Sequence, residues 1–405
     1  MNYMMDSTSK QLRRLWAFAA AITFLCSACD SAEPGEEGPE PRIGRGATVS
    51  VEKLADKTAE EIRADMEDVG IPIQARFPVT VYKVVYETVD THDEVTIASG
   101  ALLVPKSPTP VPLLSLQHGT VLVRTRVPSS DEPQRLLGMV FATGGYIVSM
   151  PDLLGLGDSP GLHPYVHAKS SATAVVDMLR ASSDFVVAEA IESTGQLFLI
   201  GYSQGGYTAM AAHRALETEH ADEFTVTASA PMAGPYDLSG TMAEVMTSDQ
   251  PHPAPYYLAY ALIAYNEIYE LHDSPSRFLK SPYDTTIPPM FDGTRSGIEI
   301  NRELPEIPRD MLNPMELAAF EADPDHPFRQ RLRENDLYDW APQAPIRMYH
   351  CSQDTHVSIN NSEKALSRML ELGADVELVN PLPVGDHFAC AFFSLTLAKN
   401  WLDTF

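Results

Sequence analysis

Residues 201–205 read Gly-Tyr-Ser-Gln-Gly, a G-x-S-x-G pattern centred on Ser203. An apolar run at 197–200 leads into the first glycine, and a helix-like stretch with small residues, 204–217, starts directly after the serine. A serine on so sharp a strand-to-helix turn is strained, and its Oγ projects into a cleft. Gly201 and Gly205 must lack side chains, or the turn would clash with the neighbouring strand and helix. The chemistry this permits is nucleophilic attack on an acyl carbonyl. Gln204 opens the helix, where a backbone N–H with partial positive charge suits an oxyanion.

A serine needs a base, and the base needs an orienting acid, which follow such a turn in the order Ser, Asp/Glu, His. His387, in Val-Gly-Asp-His-Phe at 384–388, is the last of 12 histidines and follows a strand-like run at 376–379. Asp354 lies directly after another run, 346–350. Both therefore fall at strand C-terminal ends, where α/β sheets place their sites. Asp386 competes as the acid, but adjoining the base suits it better to shaping the loop. His350 and His356 flank the acid as structural or solvent-facing histidines. A second oxyanion donor is expected in the turn Gln117-His118-Gly119-Thr120, after the run at 111–116. The N–H of Thr120 is assigned to it, with Val121 as rival.

The elements that must position these groups alternate. A capping-box pattern, Thr58-Ala59-Glu60-Glu61, opens a short helix that ends near Gly70. Residues 79–88 and 94–104 are rich in Val, Tyr, Thr and Ile and read as an antiparallel pair. Short apolar runs follow at 111–116, 146–150, 197–200, 224–228, 346–350 and 376–379, with helical stretches such as 172–190 between most of them. Runs buried on both faces and separated by helices predict a mostly parallel sheet in an α/β domain. Residues 236–342 break the alternation and read as a mostly helical insertion, which assigns 51–235 and 343–405 to the core.

The ends and the balance of the chain add context. In 405 residues, 55 acidic against 29 basic side chains give −26, which disfavours nucleic-acid backbones. Lys10, Arg13 and Arg14 precede an 11-residue apolar run, 15–25, too short to span a bilayer but right for a signal peptide over 1–28. Ser27-Ala28-Cys29 resembles the lipidation box of bacterial lipoproteins and makes Cys29 the acylated residue; the alternative is a secretory signal cleaved after Ala28. Residues 29–50, rich in Pro, Gly and Glu, read as an acidic flexible tether. Cys351 and Cys390 remain in the body, and the sequence leaves their pairing open.

Taken together, QHGT, GYSQGG, SQDTHV around the acid, GDH, and Met150-Pro151-Asp152-Leu153-Leu154-Gly155-Leu156-Gly157-Asp158-Ser159 running on through His163-Pro164-Tyr165 resemble the α/β-hydrolases, over roughly residues 75–405. The chain is similar in particular to the secreted lipase and esterase group that includes fungal secretory lipases and bacterial relatives. The resemblance implies a serine carboxylic ester hydrolase acting on small-molecule or lipid esters, with no cofactor and no metal, and places a cap at the helical insertion. The leader implies an extracytoplasmic protein held to a membrane by its N-terminal lipid; no protein partner is inferred. Within the insertion, Tyr257, Ala261, Tyr265 and Tyr269 share one helical face beside Leu258 and Leu262, fit either to pack the cap or to line an acyl pocket. His163 and His167 are four apart, but lack a third ligand for metal. A serine peptidase or amidase with the same triad competes, as does an inactive surface binding protein.

Overall fold

The computed structural model describes residues 42–405. The leader, Cys29 and most of the tether lie outside those residues. The tether's boundary at residue 50 moves back, because β1 (Thr48–Lys57) pairs antiparallel with β2 (Val79–Val89). Arg42 ahead of it pairs with Asp184 and Glu223. β1 is an edge strand with mostly exposed side chains, so it has no apolar signature to find. β3 (Val95–Pro105) returns along β2 in unbroken register, Val79 opposite Pro105 and Val89 opposite Val95. Between them, the Asp90 carboxylate accepts the N–H groups of His92 and Glu94 and closes the turn.

The remaining strands are β4 (Val111–Gln117), β5 (Ile147–Pro151), β6 (Ser193–Tyr202), β7 (Ala228–Met232), β8 (Ile346–Tyr349) and β9 (Val376–Val379). They complete a nine-stranded sheet in the order β1-β2-β3-β5-β4-β6-β7-β8-β9, parallel from β5 to β9. The run expected at 224–228 is a correction: the strand is Ala228–Met232, and only its first residue falls in that run. Its Ala-Ser-Ala-Pro-Met sequence has weak strand propensity, and burial between β6 and β8 outweighs that.

Side chains alternate along the central strands, so each strand serves two cores. Phe198 and Ile200 of β6 pack with α1 (Ala59–Asp68), α2 (Glu132–Gly144) and α12 (His387–Leu402). Leu197 and Leu199 face α3 (Ala168–Ala188) and α4 (Gln204–Thr218). The capping box forms as its residues predict: the Thr58 hydroxyl accepts the Glu61 N–H, and the Glu61 carboxylate accepts that of Thr58. Between β7 and β8 run short helices, α5 (Ala243–Thr247), α6 (Tyr256–Tyr269), α7 (Tyr283–Thr286), α8 (Gly297–Asn301), α9 (Pro314–Ala322) and α10 (Pro327–Glu334), with single turns between them. Their apolar faces join Tyr207 and Met210 of α4 and Ala365 and Met369 of α11 (Asn360–Glu371) in one cluster. No described helix is long and apolar enough to cross a membrane.

Candidate active site

Ser203 sits between the end of β6 and the start of α4 with φ 61° and ψ −124°. A non-glycine residue held there carries strain of about 1–3 kcal/mol, tolerated only where the surroundings fix it. Two backbone bonds do so, Ser203 N–H to Met232 O at 2.9 Å and Tyr207 N–H to Ser203 O at 3.1 Å. The flanking glycines are steric necessities. A Cβ on Gly201 would lie 2.2 Å from the Gly205 carbonyl oxygen, and one on Gly205 would lie 2.2 Å from that of Gln117.

The structure brings Ser203, His387 and Asp354 together. Ser203 Oγ lies 3.0 Å from His387 Nε2, and His387 Nδ1 donates to Asp354 Oδ2 at 2.6 Å. All three are buried. His387 is the first residue of α12 rather than part of a loop, because Asp386 caps that helix by accepting the N–H groups of Phe388 and Ala389. Asp386 thus shapes the local chain and makes no hydrogen bond to His387. Tyr202 donates its hydroxyl to the His387 carbonyl at 2.6 Å, tying the start of α12 to β6.

A buried carboxylate without partners would cost several kcal/mol. Burial pushes the Asp354 carboxyl upward, but hydrogen bonding to His350 and His387 and from the Val357 N–H holds it well below the usual range. The N–H groups of His356 and Val357 both reach its Oδ1 at 2.9 Å. His350 is fully buried, its Nε2 2.9 Å from Val357 O and 3.4 Å from Asp354 Oδ2. His356 is half-buried, and its ring stacks on that of His387, with centroids 5.0 Å apart. Burial and the neighbouring His387 push its pKa down to about 4, so it stays neutral beside His387 at neutral pH.

The Gln117–Thr120 turn lies against Ser203, where a Cβ on Gly119 would come 4.0 Å from that of Ser203. His118 Nδ1 lies 2.7 Å from Gly119 O, and its Nε2 3.0 Å from Asp152 O. In a trans peptide the C=O and the following N–H point opposite ways. The Gly119 carbonyl, which lies against the His118 ring, therefore sets the direction of the Thr120 N–H. Gln204 is the first helical residue of α4, where a backbone N–H has no intrahelical acceptor. Its side-chain amide donates to His163 Nε2 at 2.5 Å, while His163 Nδ1 donates to Leu154 O at 2.7 Å. Burial pulls the His163 pKa down to about 4, consistent with that neutral ring. His167 caps α3 by accepting the Ser170 N–H. The two histidines are thus set in hydrogen bonds of the loop that ends at α3.

Beyond Ser203 and Gln204 a cavity of about 100 Å³ extends under the cap. Tyr257, Leu258, Ala261 and Leu262 of α6 line it, facing Met242 and Phe320. Tyr265 and Tyr269 of the same face pack instead, their hydroxyls engaged with Val166 O and the Asn335 amide. Cys351 and Cys390 form a disulfide. The sequence singled out Ser203, His387 and Asp354, which the fold brings together, but not the contacts of His118, His163 and Tyr202 around them. The HG dipeptide before Thr120 was the available signal for the first; the others depend on contacts between distant segments.

A mostly parallel sheet with a sharp serine turn at the C-terminal end of a central strand, and helices on both faces, defines an α/β-hydrolase. The secretory lipase family matches residues 136–249. The rice cell wall degrading esterase LipA from Xanthomonas oryzae is 30% identical, with a TM-score of 0.82 over 89% of this chain and all of that one. A Legionella pneumophila chain is 27% identical, with a TM-score of 0.83 over 88% of this chain and 97% of its own. Candida antarctica lipase A shares the fold at 15% identity and a TM-score of 0.69, over 89% of this chain and 82% of its own. No curated protein sequence matches the chain. The chain belongs to the secreted lipase and esterase group of the α/β-hydrolases. It is a carboxylic ester hydrolase.

Proposed function

We propose that Ser203, His387 and Asp354 are nucleophile, general base and orienting acid of an acyl-enzyme mechanism. The observation that carries the reading is the unbroken hydrogen-bond chain from Ser203 Oγ to Asp354 Oδ2, opening on an apolar cavity. Ser203 Oγ attacks the acyl carbonyl while His387 Nε2 takes its proton. Asp354, ionised through the working pH range, holds Nδ1 protonated and stabilises the imidazolium. The backbone N–H groups of Gln204 and Thr120 receive the oxyanion. The imidazolium then protonates the leaving alcohol, and water repeats the sequence on the acyl-enzyme.

The acyl group lies in the cavity under α6. At about 10–15 Å³ for each water-sized group, a space of about 100 Å³ holds an apolar chain of roughly seven to ten methylene-sized groups. A panel of p-nitrophenyl esters of graded length beside p-nitroanilide peptides tests this, with turnover expected to peak at medium-chain esters. A peptide anilide hydrolysed faster than any ester would replace the reading with an amidase. The family's secretory character agrees with work outside the cytoplasm. Anchoring through a diacylglycerol thioether on Cys29 extends that proposal. Cys29→Ser should free the enzyme from the membrane fraction or stall its processing, with catalysis unchanged; a wild type that takes up no labelled palmitate would mean plain secretion.

A further inference from the structure

The acid and the base sit on segments that are far apart along the chain, and one covalent bond joins them. Cys351 is three residues before Asp354, and the Asp354 N–H donates to the Cys351 carbonyl at 3.2 Å, so the two share one closed turn. Cys390 is three residues after His387 in the first turn of α12, and that spacing puts both on one helix face. Within this turn Phe388 and Ala389 are exposed, whereas His387 and Cys390 are buried. The start of α12 is thus held on its inner side by the imidazole, the disulfide and the Tyr202 hydroxyl on the His387 carbonyl. Besides the His356 ring stacked on that of His387, the other ties between the two segments are weaker. Asn380 Nδ2 donates to Ser352 Oγ at 3.2 Å, and Ser352 Oγ donates to Pro383 O at 3.1 Å. Both bonds are exposed, so water competes for each group.

We propose that the Cys351–Cys390 disulfide is a positioning device for the acid–base pair, holding the first turn of α12 against the acid loop so that His387 Nδ1 stays on Asp354. The inference rests on the triad reading above. Its consequence lies in the chemical step and not in binding, because neither cysteine lines the acyl cavity. A displacement of about 1 Å in such a pair is worth up to ~100-fold in rate. A carboxylate held farther from the imidazole also stabilises its charged form less, which lowers the pKa of the base.

The test compares wild type, Ser203→Ala, and two disulfide-free enzymes, Cys351→Ala/Cys390→Ala and Cys351→Ala/Cys390→Val, the second restoring apolar volume at the helix. Circular dichroism confirms the folded fraction, and a short p-nitrophenyl ester is the substrate. The expected result is a kcat lower by about 10–100-fold per folded molecule, with KM within about twofold. The acid limb of the pH–rate profile should move to lower pH. A purely structural disulfide would lower Tm and leave that limb in place. Folded variants with wild-type kcat and acid limb would overturn the proposal. If Ser203→Ala itself kept its turnover, the triad reading would fall. If Ser203→Ala were dead and the disulfide-free enzymes unimpaired, the positioning role alone would fail.

Discussion

The turn that carries Ser203 and the cap above it meet in one cavity but are built on opposite rules. At the turn, backbone packs on backbone: added methyls on Gly201, Gly205 and Gly206 would each come within 2.2 Å of a carbonyl oxygen. In the cap, short helices meet through side chains, and α6 presents residues as different in size as Tyr257 and Ala261 to the same space. A site set by backbone geometry admits one arrangement, and its polar groups act as a unit. A site set by side-chain volume can be refilled, and each change should adjust selectivity without touching the chemistry.

The comparison is broken most directly at the nucleophile. Ser203→Ala should fold normally and lower ester kcat by about 10⁴-fold or more, since the remaining groups cannot act without it. Turnover near wild type would dissolve the distinction between the two regions. The acid comes next. Asp354→Asn should lower kcat by about 10³–10⁴-fold by favouring the wrong imidazole tautomer. Asp386→Asn should instead weaken only the cap of α12, because its oxygens serve Phe388 and Ala389. The opposite ranking of those two variants would reassign the acid.

The same contrast explains what could be read from the sequence. The parallel strands, the turn at Ser203 and the positions of Asp354 and His387 follow from period, punctuation and chain order, which are local. β1 escaped because an exposed edge strand carries no apolar pattern, and β7 was misplaced because Ala, Ser and Pro fill it. The helical character of 236–342 was legible, but which tyrosines line the cavity was not. Tyr257 faces it and Tyr265 does not, although they lie two turns apart on one face. The difference arises where α6 passes from the cavity to Val166, a contact between segments about 100 positions apart that no periodicity encodes. The disulfide was left open for the same reason.

The cap's side of the contrast is sharpened by Ala261→Phe. The ring would occupy the cavity floor beside Leu258 and Leu262. Its expected effect is a shift of the chain-length optimum toward acetate, with about tenfold loss on the longest ester turned over by wild type. Acetate kcat should change little. An equal loss on every ester would show that this position reaches the chemistry, and the separation of the two regions would fail.

The smallest effect expected lies at the stem where the cap leaves and rejoins the core. Asp336 Oδ1 accepts the Ser239 N–H at 3.0 Å, and the Ser239 hydroxyl donates to Oδ2 at 2.5 Å, so the two ends of the insertion are clasped. Burial pushes the Asp336 carboxyl up to about 6, against the pull of the Ser239 hydrogen bonds and with help from the charge of Asp237. In the unfolded chain the same group titrates near ~3.9. Between those two values the folded state binds more protons than the unfolded state, so stability falls as pH rises from about 4 to about 6. The contribution is at most about 2–3 kcal/mol, a few degrees in Tm for a chain of this size. Asp336→Asn keeps a side chain able to accept from Ser239 but removes the titration. Melting curves collected from pH 4 to pH 7 should therefore slope downward less in the variant than in wild type. Kinetic constants at Ser203 should be unaffected at any one pH. Parallel curves for the two proteins would mean that the stem is already solvated and that the cap's attachment does not respond to protons.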